Sequence, residues 1–173
     1  MKKEHTGKEI PIEPAKSKTY GRSVVMDKLI SILDKHETEY EIIKHTKQIN
    51  TAQEGADYFG IEIGQTAPTL ILKTEKGFFA LIISGDYGRV DFKIIKELIS
   101  VKQVKLATPK EVEQVTGSKV GSVSLINESL PTIIDKQLNR FSYVYGGTGI
   151  PQTTLKLRPN DIAKLNKIVG YVR

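Results

Sequence analysis

The sequence predicts a single mixed α+β domain, on three observations. Strand-like and helix-like segments are intermixed along the chain, and several strands are joined by connections of hairpin length. The strict strand–helix alternation that builds a doubly wound parallel sheet is missing. The 173 residues fit one domain, which at this size buries most of the surface its unfolded chain exposes.

Taken in order, residues 1–25 contain Gly7, Pro11, Pro14 and Gly21 and no sustained apolar period, so they read as a flexible basic arm. The domain proper is expected over 26–173. Val25, Leu29, Ile30, Ile32 and Leu33 have helical spacing, and Glu39 to Ile43 alternates as a strand that ends at His45. Thr51-x-x-Glu54 is a capping box, with Gly60 placed to close its helix. Thr69 to Leu72 and Phe78 to Ile83, separated by Lys76-Gly77, read as a hairpin. Asp91 caps a helix carrying Ile94, Ile95, Leu98 and Ile99; Val104 to Ala107 is a short strand. Thr108-Pro109-x-Glu111 repeats the helix-start signature with proline at the first helical position, and Gly117 closes it. Leu130 to Asp135, Phe141 to Tyr145 and Thr153 to Leu157 are further strands; Gly146 to Gly149 follows the second as a loop, and Asp161 to Ile168 reads as a helix.

Composition excludes several classes. Hydrophobic residues make up 39% and charged residues 27%, ordinary for a globular protein. No apolar run reaches the roughly 18 residues of a membrane span, and the polar start carries no secretory signal. Cysteine is absent, which removes disulfides, thiol catalysis and thiolate metal sites and agrees with a cytoplasmic location. The net charge of +6 has half its excess in residues 1–25, where six Lys or Arg face three Glu. Such a charge helps to capture a phosphate backbone, but a solvated surface with surplus lysine reads the same way.

Most catalytic signatures are missing. His5, His36 and His45 are too scattered in sequence to suggest a metal cluster; no phosphate-binding Gly-rich loop ending in Lys-Ser/Thr is present, and no Gly-x-Ser-x-Gly elbow occurs. Gly146-Gly147-x-Gly149 alone reads as a tight connection or as a loop offering backbone N–H groups to a ligand.

The longest specific pattern runs from Thr116 to Gly149: Thr-Gly-Ser-Lys-Val-Gly-Ser-Val-Ser, then Leu-Pro-Thr-Ile-Ile-Asp at 130–135, then Phe141-x-x-x-Tyr145-Gly-Gly-x-Gly. It is joined, in order, by Glu-Tyr-x-x-x-x-His ending at His45, the hairpin from Thr69 to Ile83, Asp91-Phe92-Lys93, and Ala107-x-Pro109-x-x-Val112. Together these segments resemble the YbaK/EbsC family, which includes deacylases of cysteinyl-tRNA and the related editing modules of prolyl-tRNA synthetases. The resemblance spans roughly residues 26–167. It implies a partly barrel-like sheet flanked by short helices, no cofactor, aminoacyl-tRNA as partner (with a synthetase as a further one), and hydrolysis in trans of a mischarged ester. Because that ester is already activated, such a site needs no covalent nucleophile. It holds the terminal adenosine, orients water and stabilises the oxyanion with backbone donors.

Carried onto this chain, the resemblance implies catalytic roles for Gly121, Ser122, Gly146 and Gly147, and substrate contacts from His45, Pro68, Thr69, Ser124, Asp135 and Tyr145. Three positions depart from the family. Leu125 stands where the Gly-x-x-x-Pro loop ends, Tyr145 replaces a small hydroxyl residue, and Pro68 replaces the lysine that usually precedes Thr-Leu. Proline supplies no charge for phosphate or oxyanion. Lys73 lies on the opposite face of a regular strand and does not substitute for it. Each residue also has a plain structural reading: Thr69 as a strand threonine, His45 as a strand-end histidine, Asp135 as a turn aspartate. An alternative to the deacylase is therefore a non-catalytic module of the same fold that binds tRNA, a nucleotide or a synthetase.

Overall fold

The structure is a computed structural model that describes residues 24–173; the arm expected at the N-terminus falls almost wholly outside them. Val24 and Val25, its last two residues, already belong to helix α1 (Val24–Lys35). Strand β1 (Tyr40–Lys44) follows, then α2 (Ala52–Phe59), a 3-10 turn at Ile63–Gln65, and strands β2 (Thr66–Ala67), β3 (Thr69–Thr74) and β4 (Gly77–Ile82). The chain continues through α3 (Phe92–Ile99), β5 (Val104–Leu106) and α4 (Pro109–Thr116) to β6 (Pro131–Asp135) and a 3-10 turn at Lys136–Arg140. Strands β7 (Val144–Gly147) and β8 (Thr153–Leu157), helix α5 (Pro159–Leu165) and strand β9 (Lys167–Val172) complete it.

Two mixed sheets result, ordered β1-β8-β7-β2 and β5-β3-β4-β6-β9. The pairs β2–β7, β4–β6 and β6–β9 are parallel and the others antiparallel. Pro68 is the joint between the sheets. Without an N–H it cannot donate to a ladder, so the extended segment from Thr66 to Thr74 bends there and changes sheet. The chain beyond β4 follows it across the joint: Ile83 N donates to Pro68 O at 3.1 Å and Gly85 N to Thr66 O at 2.8 Å.

The largest core fills the inner face of the first sheet. Met26, Leu29, Ile30 and Leu33 of α1 meet Ile42, Val144, Leu155 and Leu157 of the sheet, with Leu125 and Ile162 beside them. Leu33, Leu125, Val144, Leu155 and Leu157 are fully buried, and side chains of this kind each contribute about 1.5–3 kcal/mol when removed from water. The second sheet buries Leu72, Leu81 and Ile133 under Ile95 of α3 on one face, and Ile71 and Ala80 under Val112 of α4 on the other.

Local signals explain most helix ends. Thr108 and Glu111 form the reciprocal box, and Gly117 closes α4 at φ 79°. At α2 the box is displaced: Thr51 accepts from Glu54 N, but the Glu54 carboxylate accepts from Asn50 N, one residue earlier than expected. Three expectations are corrected. Phe141 is the C-cap of a 3-10 turn, so β7 starts later, at Val144. Gly146 and Gly147 lie within β7 and not in the loop after it. The helix expected over 161–168 stops at Leu165, and Lys167 onward is the edge strand β9. Among the described residues no helix is long and apolar enough to cross a membrane.

Candidate functional site

The glycine pair in β7 is a consequence of what crosses it. A Cβ on Gly146 would sit 2.6 Å from the Leu125 side chain and 2.8 Å from Ala67 O; one on Gly147 would sit 2.1 Å from Val123 O. Only glycine lets the 121–125 loop lie this close. Leu125 N donates to Gly147 O at 3.0 Å and Gly149 N to Ser122 O at 2.7 Å, so the loop continues the sheet edge where β2 leaves it. Gly121 starts this passage at φ 91°, in the left-handed region that glycine tolerates.

Register fixes the neighbours. Thr66 and Ala67 of β2 pair with Tyr145 and Gly146, and the pairing ends there, one residue before Pro68. On the other side, Tyr145 is opposite Lys156 and Gly147 is opposite Thr154. Gly121, Ser122, Gly146, Gly147, Pro68 and Tyr145 are thus brought to one region at the sheet joint. Thr69 follows Pro68 directly, and its Oγ1 is buried without a hydrogen-bond partner. The amide N–H groups of Val123 and Ser124 find no protein acceptor among the described residues.

Other predicted residues have structural occupations. Ser124 Oγ accepts from Ile126 N at 3.0 Å, which shapes the loop. His45 is buried, with Nδ1 2.7 Å from Lys47 O and Nε2 3.1 Å from Thr154 Oγ1. A carbonyl only accepts, so Nδ1 carries the proton; in the neutral ring Nε2 then accepts from the Thr154 hydroxyl. That bond ties His45 to the residue opposite Gly147. Asp135 is drawn elsewhere. Fully buried, it accepts from Ser84 N, Gln137 N and, through both oxygens, Arg173. It belongs to a charge cluster with Asp86 and Arg140 at the end of β6. There the Arg140 guanidinium, aided by Arg173, holds the Asp86 carboxyl down at about 2, and burial pushes the Tyr87 phenol up.

Sequence reasoning missed what surrounds Tyr145. Its ring lies 5.1 Å from Phe59 of α2, and the Lys156 ammonium stands 5.7 Å from the Tyr145 ring and 4.9 Å from that of Tyr143. Directly cross-strand residues share a face of the sheet, so Lys156, opposite Tyr145, places a cation over the rings of Tyr143 and Tyr145. Its ion pair to Glu41 is long, at 3.8 Å. Period-2 alternation in β8 marks Lys156 as outward but says nothing of its partner strand. Phe59 and Tyr58 extend the rings to His45, at 6.0 and 5.4 Å. Among the described residues, no three His, Asp or Glu converge as a metal site would require.

Comparison with known proteins agrees with this architecture. A model of the family described as an aminoacyl-tRNA editing domain matches residues 46–165. The proline–tRNA ligase of Caldicellulosiruptor bescii is 29% identical over 94 residues, which is 54% of this chain and 16% of the ligase. This chain therefore spans only a small part of that curated relative. Among solved structures, a candidate trans-editing enzyme for prolyl tRNA synthetase superposes with a TM-score of 0.74 at 25% identity, covering 86% of this chain and 95% of that one. A hypothetical protein superposes at 0.76 with 26% identity, covering 83% and 97%.

Proposed function

Since this chain belongs to the aminoacyl-tRNA editing domain family, we propose that it hydrolyses the ester of a mischarged aminoacyl-tRNA in trans. Water attacks the ester carbonyl, the tetrahedral oxyanion collapses, and the ribose hydroxyl leaves as free tRNA is released with the amino acid. The observation that carries the reading is the loop 121–125 bonded across the glycine pair beside the Pro68 joint. It sets the amides of Val123 and Ser124, which find no protein acceptor among the described residues, beside the end of β7, and such amides are the kind of donor that stabilises an oxyanion. Neither a metal nor a covalent nucleophile is assigned a role. Lys156 is the cation we assign to the charge that Pro68 does not supply, and Tyr145 narrows the amino-acid side of the site. Thr69 and Ser122 are assigned to orienting the substrate.

A second reading is favoured by Pro68 itself: without an ammonium at the joint, the same surface serves as a binding module for tRNA or a synthetase. Release of amino acid from a panel of mischarged tRNAs separates the two. Hydrolysis of any member above the no-protein rate establishes the deacylase. Absence of hydrolysis with tRNA binding retained establishes the module, and in that case Pro68→Lys is expected to gain activity.

A further inference from the structure

The backbone that follows the Val123 and Ser124 amides is held by a residue that no motif singled out. Asn166 is the C-cap of α5, and its carboxamide reaches the chain at 125–127. Its Oδ1 accepts from Asn127 N at 2.7 Å, while its Nδ2 donates to Leu125 O at 2.8 Å and to Ile162 O at 3.0 Å. An N–H only donates and a carbonyl only accepts, so these partners fix which way the amide points.

Other bonds complete the passage. Asn127 Nδ2 donates to Ser124 O at 2.6 Å, Ser124 Oγ accepts from Ile126 N at 3.0 Å, and Leu125 N donates to Gly147 O at 3.0 Å. The peptide groups joining Ser124 to Leu125 and Leu125 to Ile126 are thus bonded at both C=O and N–H. A peptide group is planar, so bonding both ends fixes its plane. Val123 and Ser124 come immediately before these fixed planes, and their N–H groups alone between 123 and 127 lack a protein acceptor among the described residues. Asn127 and Ser124 belong to the passage they bond. Asn166 is the side chain that ties it to a separate element, from 41 residues beyond Leu125.

We infer that Asn166 is a positioning residue for the hydrolytic step: by holding Leu125 O and Asn127 N, it sets the direction in which the Val123 and Ser124 amides donate. The step rests on the editing reading above; the orientation of the amides rests on the bonds. The test is Asn166→Asp in the full chain. The substitution keeps the size of the side chain and its acceptor for Asn127 N, but a carboxylate donates to neither Leu125 O nor Ile162 O. Asn166→Ala, which brings no charge among those carbonyls, is the second variant. Ile162→Val, in the same helix, is the control: it costs comparable stability and leaves every bond to the loop in place.

For each protein, kcat and KM are measured on a tRNA that the parent deacylates, and the Val123 and Ser124 amide resonances are read by heteronuclear NMR. Both Asn166 variants are expected to lower kcat by about tenfold or more with KM unchanged, and to move both resonances. Ile162→Val should do neither. A merely structural Asn166 would make the variants resemble the control, less stable but with parental kcat, and that result overturns the inference. Val123 and Ser124 resonances unmoved in both Asn166 variants overturn it as well. A parent inactive on every tRNA overturns the editing reading instead, and the resonances then decide whether Asn166 sets the amides.

Discussion

Gly147→Ala tests whether the loop across β7 is the working part of the site. The added Cβ would lie 2.1 Å from Val123 O, where real contacts essentially never fall below 3.0 Å, so the loop must move by about 1 Å. The obstacle is backbone and not a flexible side chain, and Leu125 N and Gly149 N tie that backbone to the same strand. Overpacking of this kind costs about 1–3 kcal/mol; taking about 2 kcal/mol, the melting temperature of a domain this size falls by roughly 4–8 °C. A domain of ordinary stability stays folded at 25 °C after such a loss. Displacing oxyanion donors by about 1 Å, in contrast, costs on the order of a hundredfold in rate. The expected result is therefore a folded variant whose kcat/KM for deacylation is down by about a hundredfold. Gly77→Ala supplies the control: it strains a residue at φ 116° at the start of β4 with nothing within 4 Å of the new methyl, and it should lower stability while leaving the rate unchanged. A Gly147→Ala protein with parental rate and melting temperature would refute the reasoning, because the loop would then not be held where the strand places it.

Leu125→Pro, which restores the family residue, is expected to lower both stability and hydrolysis, since it deletes the N–H that donates to Gly147 O; thermal unfolding and the deacylation assay read both. Arg173→Ala leaves Asp135, 1% exposed, without its two-point cation partner, and should cost about 3 kcal/mol in denaturant unfolding with little change in binding of a short RNA. Asp86 is held at about 2, below its ordinary 3.8, so it stabilises the fold above that ordinary value and the contribution is lost as pH falls towards 2. Unfolding followed across that range should show a shallower acid loss for Asp86→Asn than for the parent, with the two proteins converging at the acid end.

The order of elements was readable because local chemistry writes it. Thr108-Pro109-x-Glu111 and Gly117 bound α4, Asp91 starts α3, and the hairpin turn falls at Glu75-Lys76, one residue before the Lys76-Gly77 the sequence suggested. What escaped were features decided by partners distant in sequence. Strand β2 is two residues long and exists because Thr66 and Ala67 meet β7. Strand β9 continues a segment whose apolar spacing suits a helix, and parallel pairing with β6 decides the matter. The same holds at the site. Gly121, Ser122, Gly146 and Gly147, which the loop pattern singled out, do lie together, because the 121–125 loop bonds back onto the end of β7. Asp135 was placed with them on sequence alone, yet β6 delivers it to Arg173, and no local signal reports that the C-terminal residue folds back onto it. Lys156 and Phe59 were illegible for the converse reason: each faces Tyr145 only through cross-strand register or helix docking.

The three departures from the family pattern are physically one change. Leu125 buries its side chain over Gly146, in space that a Cβ there would invade, and uses an N–H that proline lacks to bond Gly147. Pro68 follows Ala67, which pairs with Gly146, and Tyr145 is the residue before the glycine pair. The loop of this chain is tied to the strand through Leu125, whose N–H donates to Gly147 O. A lysine at 68 would meet that strand edge, whereas a proline needs no ladder partner and makes the bend between sheets. With the joint built this way, positive charge reaches the surface from the neighbouring strand, on Lys156 over Tyr143 and Tyr145. Replacing any one of the three by the family residue therefore disturbs the other two, so their effects should be non-additive. The coupling is readable as the difference between Pro68→Lys alone and Pro68→Lys in a Leu125→Pro background.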